Sequence, residues 1–191
     1  MSALRGVRGA AHIAVAPIVG VLVGVGLSPN VVTAASLAIS AAGGLGLAMG
    51  LPPAVVVVVL AGRLLCDILD GQVARASGRT SRLGAMLNDI EDGLGDVLLY
   101  CGLGLGTGSQ ALLVLAALGV TTELVAVAAL AQGGPRSQKG PLAKVERMVM
   151  VAAVGVLTQL GVPTEALYWF GCALAFTTLV RRLRAGMRAV G

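Results

Sequence analysis

The sequence predicts an all-α, polytopic membrane protein: six transmembrane helices preceded by an N-terminal helix lying at the membrane interface. Three observations carry this expectation. Hydrophobic residues make up 57% of the 191 and charged residues only 12%, whereas a soluble domain averages about 25% charged; mean hydropathy is +0.91. The apolar residues come in runs of roughly 17–25, long enough for a helix to cross a hydrocarbon core of about 30 Å, rather than in alternating strands of about ten. The basic residues, Arg63 excepted, fall in four places between those runs.

Proline, glycine and charge divide the chain in order. Residues 10–27 are apolar and stop at Ser28-Pro29-Asn30, where proline suits the first turn of a following helix. The first span occupies residues 31–50 and is closed by Gly50 and Pro52-Pro53. Residues 54–76 form the second, apolar at first, then carrying Arg63, Asp67 and Asp70. After the polar loop 77–81, residues 82–105 hold a second acidic cluster before turning apolar. Residues 111–132, 147–161 and 164–180 give the last three spans, with a basic loop over 133–144 and a basic tail from Arg181. The whole reads as one membrane domain: juxtamembrane helix 1–27, six-span bundle 28–183 and basic tail 184–191. No cleavable leader is expected, because no small-residue cleavage site leads into a soluble domain.

Orientation follows from lysine and arginine. The basic places are Arg5 and Arg8, the loop around 75–82, the loop around 136–147, and the tail; the turns near 51–53, 106–110 and 161–165 have none. Six spans put all four places on the cytoplasmic side of an inner cell membrane. A seventh span over residues 10–27 would put Arg5 and Arg8 outside, so that segment is read as an interfacial helix. The same topology accounts for the net charge of +5, and with 3% aromatic residues there is little to stack on bases; nucleic acid is excluded as a partner. Cys66, Cys101 and Cys172 show no metal-binding or redox spacing and are expected to be buried thiols. His12 stands alone, with a structural or solvated role.

The chemistry concentrates in 67-DILDGQVAR-75 and 88-NDIEDGLGD-96. The two segments belong to helices joined by about five residues, which makes them antiparallel neighbours. Residues whose numbers sum to a constant then face one another: Asp70 with Asn88, Asp67 with Asp92, Arg63 with Asp96. On each helix these positions are three or four apart, hence on one face. Carboxylates inside a span are costly and point to function, and several converging would repel unless a cation lay between them. Oxygen ligands suit Mg²⁺ or Mn²⁺. Arg63 and Asp96, deeper, need no metal and are expected to form a structural ion pair. Arg63 cannot neutralise all four aspartates, which argues against a purely structural cluster. Glu123 is intramembrane; it either lines the pocket or bonds a neighbouring helix.

These residues closely resemble the signature of the CDP-alcohol phosphotransferase family, D-G-x2-A-R-x8-G-x3-D-x3-D, with that family's extra upstream aspartate. Every spacing matches across Asp67, Asp70, Gly71, Ala74, Arg75, Gly84, Asn88 and Asp92, and one residue differs. The segment 28-SPNVVT-33 resembles the family's Pro-Asn-x-x-Thr element, and 141-PLAKVERM-148 its basic loop; the resemblance covers roughly residues 28–150. It implies a homodimeric integral-membrane transferase of phospholipid biosynthesis. Such an enzyme moves a substituted phosphate from a CDP-linked lipid, here expected to be CDP-diacylglycerol, to an alcohol and releases CMP. It further implies two Mg²⁺ or Mn²⁺ ions on Asp67, Asp70, Asn88 and Asp92, with Asp92 as general base. Asn30, Thr33, Gly71, Ala74, Arg75, Ser81 and Gly84 would contact the donor. Arg136, Lys139, Lys144 and Arg147 either serve topology and anionic headgroups or, through Lys144 and Arg147, grip an acceptor phosphate. The tail arginines read as membrane anchors.

Asn88 departs from the signature: it keeps an oxygen but loses a charge. The enzyme then works with a weaker second metal, is compensated by Asp89 or Glu91, or has lost transfer and kept the scaffold. A shifted frame using Asp92 and Asp96 breaks the glycine spacing. Two rivals fit less well. An intramembrane prenyltransferase needs two separated Asp-rich motifs, and a cation transporter commonly carries repeats, whereas residues 110–191 hold no acidic counterpart.

Overall fold

The computed structural model describes residues 14–133 and 140–190. These form seven helices and no strand: α1 (Ala14–Gly24), α2 (Pro29–Ala48), α3 (Val55–Ala76), α4 (Arg82–Thr107), α5 (Gln110–Ala131), α6 (Lys144–Gln159) and α7 (Glu165–Val190). His12, Arg5, Arg8, Arg136 and Lys139 lie outside the described residues.

Local chemistry sets the helix ends. Pro29 opens α2 behind Ser28, as its fixed φ favours. Ser81 and Ser109 cap α4 and α5: the Ser81 hydroxyl accepts from the Gly84 amide at 2.9 Å, and that of Ser109 from Leu112 at 3.4 Å. Each cap satisfies an amide the first helical turn leaves open. Gly108 ends α4 at φ 72°, a left-handed conformation that costs other residues a Cβ clash.

α2 is the wedge of the bundle. It packs along both α3 and α4, whereas α3 and α4 touch each other little; α5 lies against α4 and α7. The reason is written in glycine. A Cβ on Gly102 of α4 would run into the backbone of Gly44 in α2, and one on Gly44 into the Leu98 carbonyl. The two backbones therefore meet without side chains between them, as small residues permit in membrane bundles. This corrects the expectation of a simple α3–α4 hairpin pair: with α2 between them, the two acidic helices splay and leave a cleft.

One apolar core joins α3 to α7, with Leu60, Tyr100, Leu112, Val151 and Tyr168 among its buried members. A smaller one packs Val15 and Val19 of α1 against Val32, Leu69 and Val73. α1 thus lies beside the ends of α2 and α3 that carry the cleft. Large apolar side chains also point outward from most helices: Leu45, Val58, Leu105, Val149 and Phe170 are all exposed, a surface that suits lipid and not water. By length and composition α2 and α5 can each cross a membrane; α6 has 16 residues, and α3, α4 and α7 carry ionisable groups. α7 also runs to Val190, so the basic tail continues as helix rather than forming a separate segment.

The backbone contact gives a test. Gly102→Ala is expected to lower the midpoint of thermal unfolding in detergent, with an overpacking cost of about 1–3 kcal/mol. Gly20→Ala, where an added Cβ meets nothing within 4 Å, does not lower the midpoint.

Candidate active site

A cleft of about 390 Å³ opens where α2, α3 and α4 begin or end together. Asn30 and Thr33 line it from α2, and Gly71, Ala74 and Arg75 from α3. Ser81 and Gly84 line it from the start of α4, and Asp67, Asp70 and Asn88 form its inner wall. Arg79 and Thr80, which the sequence did not single out, complete the rim. Gly71 faces the Arg75 guanidinium, 3.5 Å from where a Cβ would stand, and Gly84 lies near Ser81 and Asn30. Side chains at either glycine would narrow the cleft.

The acidic residues divide into two groups. Asp70 is held from α2: the Thr33 hydroxyl donates to its Oδ2 at 2.9 Å, so its nearest partner is on α2 and not Asn88. Asp67, Glu91 and Asp92 converge, each offering an oxygen within 4.8 Å of the others. The Lys144 ammonium lies between Asp67 Oδ2 and Asp92 Oδ1 and bonds both. Asn88 Oδ1, Asp67 Oδ1 and Glu91 Oε2 are buried without a hydrogen-bond partner. Buried polar atoms of this kind are rare and costly, and two of them belong to the converging carboxylates Asp67 and Glu91.

Below this site, carboxylates and guanidinium groups pair across helices. Arg63 donates to Asp96 Oδ1 at 2.8 Å and to the Asp92 carbonyl at 3.3 Å. Arg147 Nε donates to Asp96 Oδ2 at 2.9 Å. Arg147 then approaches Glu123 at 3.7 Å, and Arg182 donates to Glu123 at 3.2 Å. With Glu91 at 3.7 Å from Arg63, three carboxylates alternate with three guanidinium groups from α3 to α7. Gly95 makes room: a Cβ there would stand 2.6 Å from Arg63 Nη2.

Two sequence readings change here. Arg147, read as one of two residues gripping an acceptor phosphate, is 1% exposed and has its guanidinium on Asp96; it sits one helical turn inside α6, facing α4. Arg182, read as a membrane anchor, is buried against Glu123 and the Thr122 carbonyl. Glu123 takes the second of its two readings, bonding a neighbouring helix. Sequence reasoning missed Ser36, whose hydroxyl donates to Glu91 Oε1 at 2.8 Å. The available signal was its place one turn after Thr33 on the same helix face.

Carboxylates thus converge beneath a glycine-edged cleft with Arg75 and Arg79 among its lining residues. The chain belongs to the CDP-alcohol phosphatidyltransferase family, whose sequence pattern matches residues 26–178. It is similar to the inner membrane protein YnbA of Escherichia coli, at 31% identity over 83% of this chain and 84% of that protein. It is also similar to the phosphatidylinositol phosphate synthase of Mycolicibacterium smegmatis, at 31% identity over 84% and 78%. The crystal structure of the Mycobacterium tuberculosis phosphatidylinositol phosphate synthase with CDP-DAG bound superposes with a TM-score of 0.77 at 28% identity, covering 92% of this chain and 94% of that one. The same enzyme in complex with manganese and citrate gives the same score. The chain is accordingly a transferase of phospholipid biosynthesis.

The buried charges make a prediction. Removing one partner of a buried ion pair costs about 3–5 kcal/mol, so Arg147→Gln is expected to lower thermal stability strongly in detergent. An unchanged melting curve would show that the Arg147–Asp96 pair does not hold the fold together.

Proposed function

We propose that this protein transfers the phosphatidyl group of CDP-diacylglycerol to an alcohol and releases CMP. The observation that carries the reading is the cleft itself: Asn30, Thr33, Gly71, Ala74, Arg75, Ser81 and Gly84 line the space that ends on Asp67, Asp70 and Asn88. The donor diphosphate enters above the carboxylates, with Arg75 reaching its oxygens as a charged, multiply donating group. Asn30 to Thr33 border the cytidine. The glycines admit the nucleotide close to the backbone. The exposed apolar flanks of the bundle take the acyl chains.

The donor set fits a hard cation, because Asp67, Asn88 and Glu91 each offer an unpartnered oxygen. Asp67, Asp70, Asp92 and the side-chain oxygen of Asn88 would hold two Mg²⁺ or Mn²⁺ ions, whose charge offsets that of the diphosphate and of the departing CMP. Asp92 accepts the proton of the acceptor hydroxyl. The alcohol oxygen then bonds to the phosphorus of the phosphatidyl group as the bond to CMP breaks. Lys144, which bonds both Asp67 and Asp92, moves to the acceptor side and meets its phosphate. The synthases among the relatives act in favour of a phosphate-bearing acceptor such as inositol phosphate.

Basic residues on one face support six spans with the cleft toward the cytoplasm, with α1 at the interface. Exposed apolar faces and abundant glycine suit a homodimer formed through the spans.

Purified protein supplied with CDP-diacylglycerol and a panel of acceptors (inositol phosphate, glycerol 3-phosphate, serine, a phosphatidyl lipid) is expected to release CMP with one of them. Turnover requires Mg²⁺ or Mn²⁺ and stops with a chelator. Loss of a general base lowers rates roughly 10²–10⁴-fold, and Asp92→Asn is expected to fall by at least that much. Full activity in that variant would remove Asp92 from the role, and no release from any pair would defeat the transferase reading.

A further inference from the structure

We infer that Glu91 is the carboxylate that completes the cation site in this chain, supplying the charge that Asn88 lacks. The inference rests on the metal-dependent reading above and assigns a ligand that the family signature does not contain.

Four observations support it. Glu91 is one of the three carboxylates whose oxygens come within 4.8 Å of one another, together with Asp67 and Asp92. It is 3% exposed, and its Oε2 has no hydrogen-bond partner. An ionised oxygen so placed carries a desolvation cost of several kcal/mol unless a cation meets it. The other oxygen is fixed, since Ser36 donates to Oε1 at 2.8 Å, and that bond orients the carboxylate. The ion pair with Arg63 does not use Oε2: Arg63 Nε stands 3.7 Å from Oε1, beyond hydrogen-bond length, and Arg63 Nη1 is engaged by Asp96 at 2.8 Å.

The geometry explains how one residue can stand in for another. Positions 88, 91 and 92 share a helix face at spacings of three and four. A glutamate at 91 has one more methylene than an aspartate at 88, and this extra reach brings its oxygen to Asp67 and Asp92 from the neighbouring position. Asn88 still presents Oδ1 without a partner, so it keeps the role of a neutral ligand. Asp67, Asp70, Asp92 and Glu91, the last shared with Arg63, then bring four carboxylates to the site, the number that the family signature with its upstream aspartate reaches by another arrangement.

The test measures Mn²⁺ binding directly on full-length protein in detergent, from the electron paramagnetic resonance signal of unbound Mn²⁺, with no lipid substrate present. Removing even a partner beside a metal ligand weakens affinity roughly 10–100-fold, so Glu91→Gln is expected to lose at least that much. The double variant Asn88→Asp with Glu91→Gln is expected to recover most of it. Wild-type affinity in Glu91→Gln, or loss without recovery in the double variant, overturns the inference. If the glutamine variant fails to fold, Glu91→Asp keeps the charge beside Arg63 and only draws the oxygen back; wild-type affinity there overturns the inference equally, and a matching loss supports it. CMP release by the wild-type protein is scored separately. A protein that binds Mn²⁺ through Glu91 but releases no CMP fails the transferase reading and not this one.

Discussion

A carboxylate buried among membrane helices must meet a positive charge, and this constraint organises the molecule. Asp96 is the clearest case. It is fully buried and takes guanidinium groups from two different helices, Arg63 of α3 and Arg147 of α6. Those arginines are held in turn by Glu91 and Glu123, and Glu123 by Arg182. The result ties α3, α4, α5, α6 and α7 together through groups whose separation would leave bare charge in a medium that cannot solvate it. Gly95 and Gly119 lie against the arginines, so glycine here makes space for guanidinium groups. One level higher, three oxygens, on Asp67, Asn88 and Glu91, are buried without a hydrogen-bond partner. The site is where the protein leaves negative charge for something else to satisfy.

The wedge position of α2 turns that charge into a site. Backbone contact at Gly44 and Gly102 holds α2 against α4, and α3 lies on the other side. The helices carrying the aspartates are therefore kept apart at the end where the nucleotide would enter. α2 is also a working surface: Thr33 fixes Asp70, Ser36 fixes Glu91, and Asn30 stands at the cleft's edge. Three polar residues on one face of an apolar helix thus align carboxylates on two others, which is how a rigid element holds a reactive geometry.

Much of this was legible in the sequence, for identifiable reasons. The helices lie close to the apolar runs, because proline, glycine and serine end helices by local chemistry. The facing of Arg63 and Asp96 follows from antiparallel numbering alone, and seven residues named through the signature share one cleft. What could not be read depends on rotation and on non-neighbouring helices. Lys144 and Arg147 are three apart in one basic segment, yet one reaches the carboxylates of the site and the other the charge beneath it. Four tail arginines look alike as text, but α7 continues far enough to aim Arg182 inward at Glu123. The partners of Thr33 and Ser36 could not be read for the same reason: they lie on α3 and α4, 37 and 55 residues further along the chain.

The central claim is that the cleft between α2, α3 and α4 binds a cytidine diphosphate only together with a divalent cation. Isothermal titration of CDP into the purified protein, with Mn²⁺ and then with excess chelator, tests it most directly. The account expects saturable CDP binding in Mn²⁺ that disappears in chelator. Equal binding in both conditions, or none in either, would contradict it.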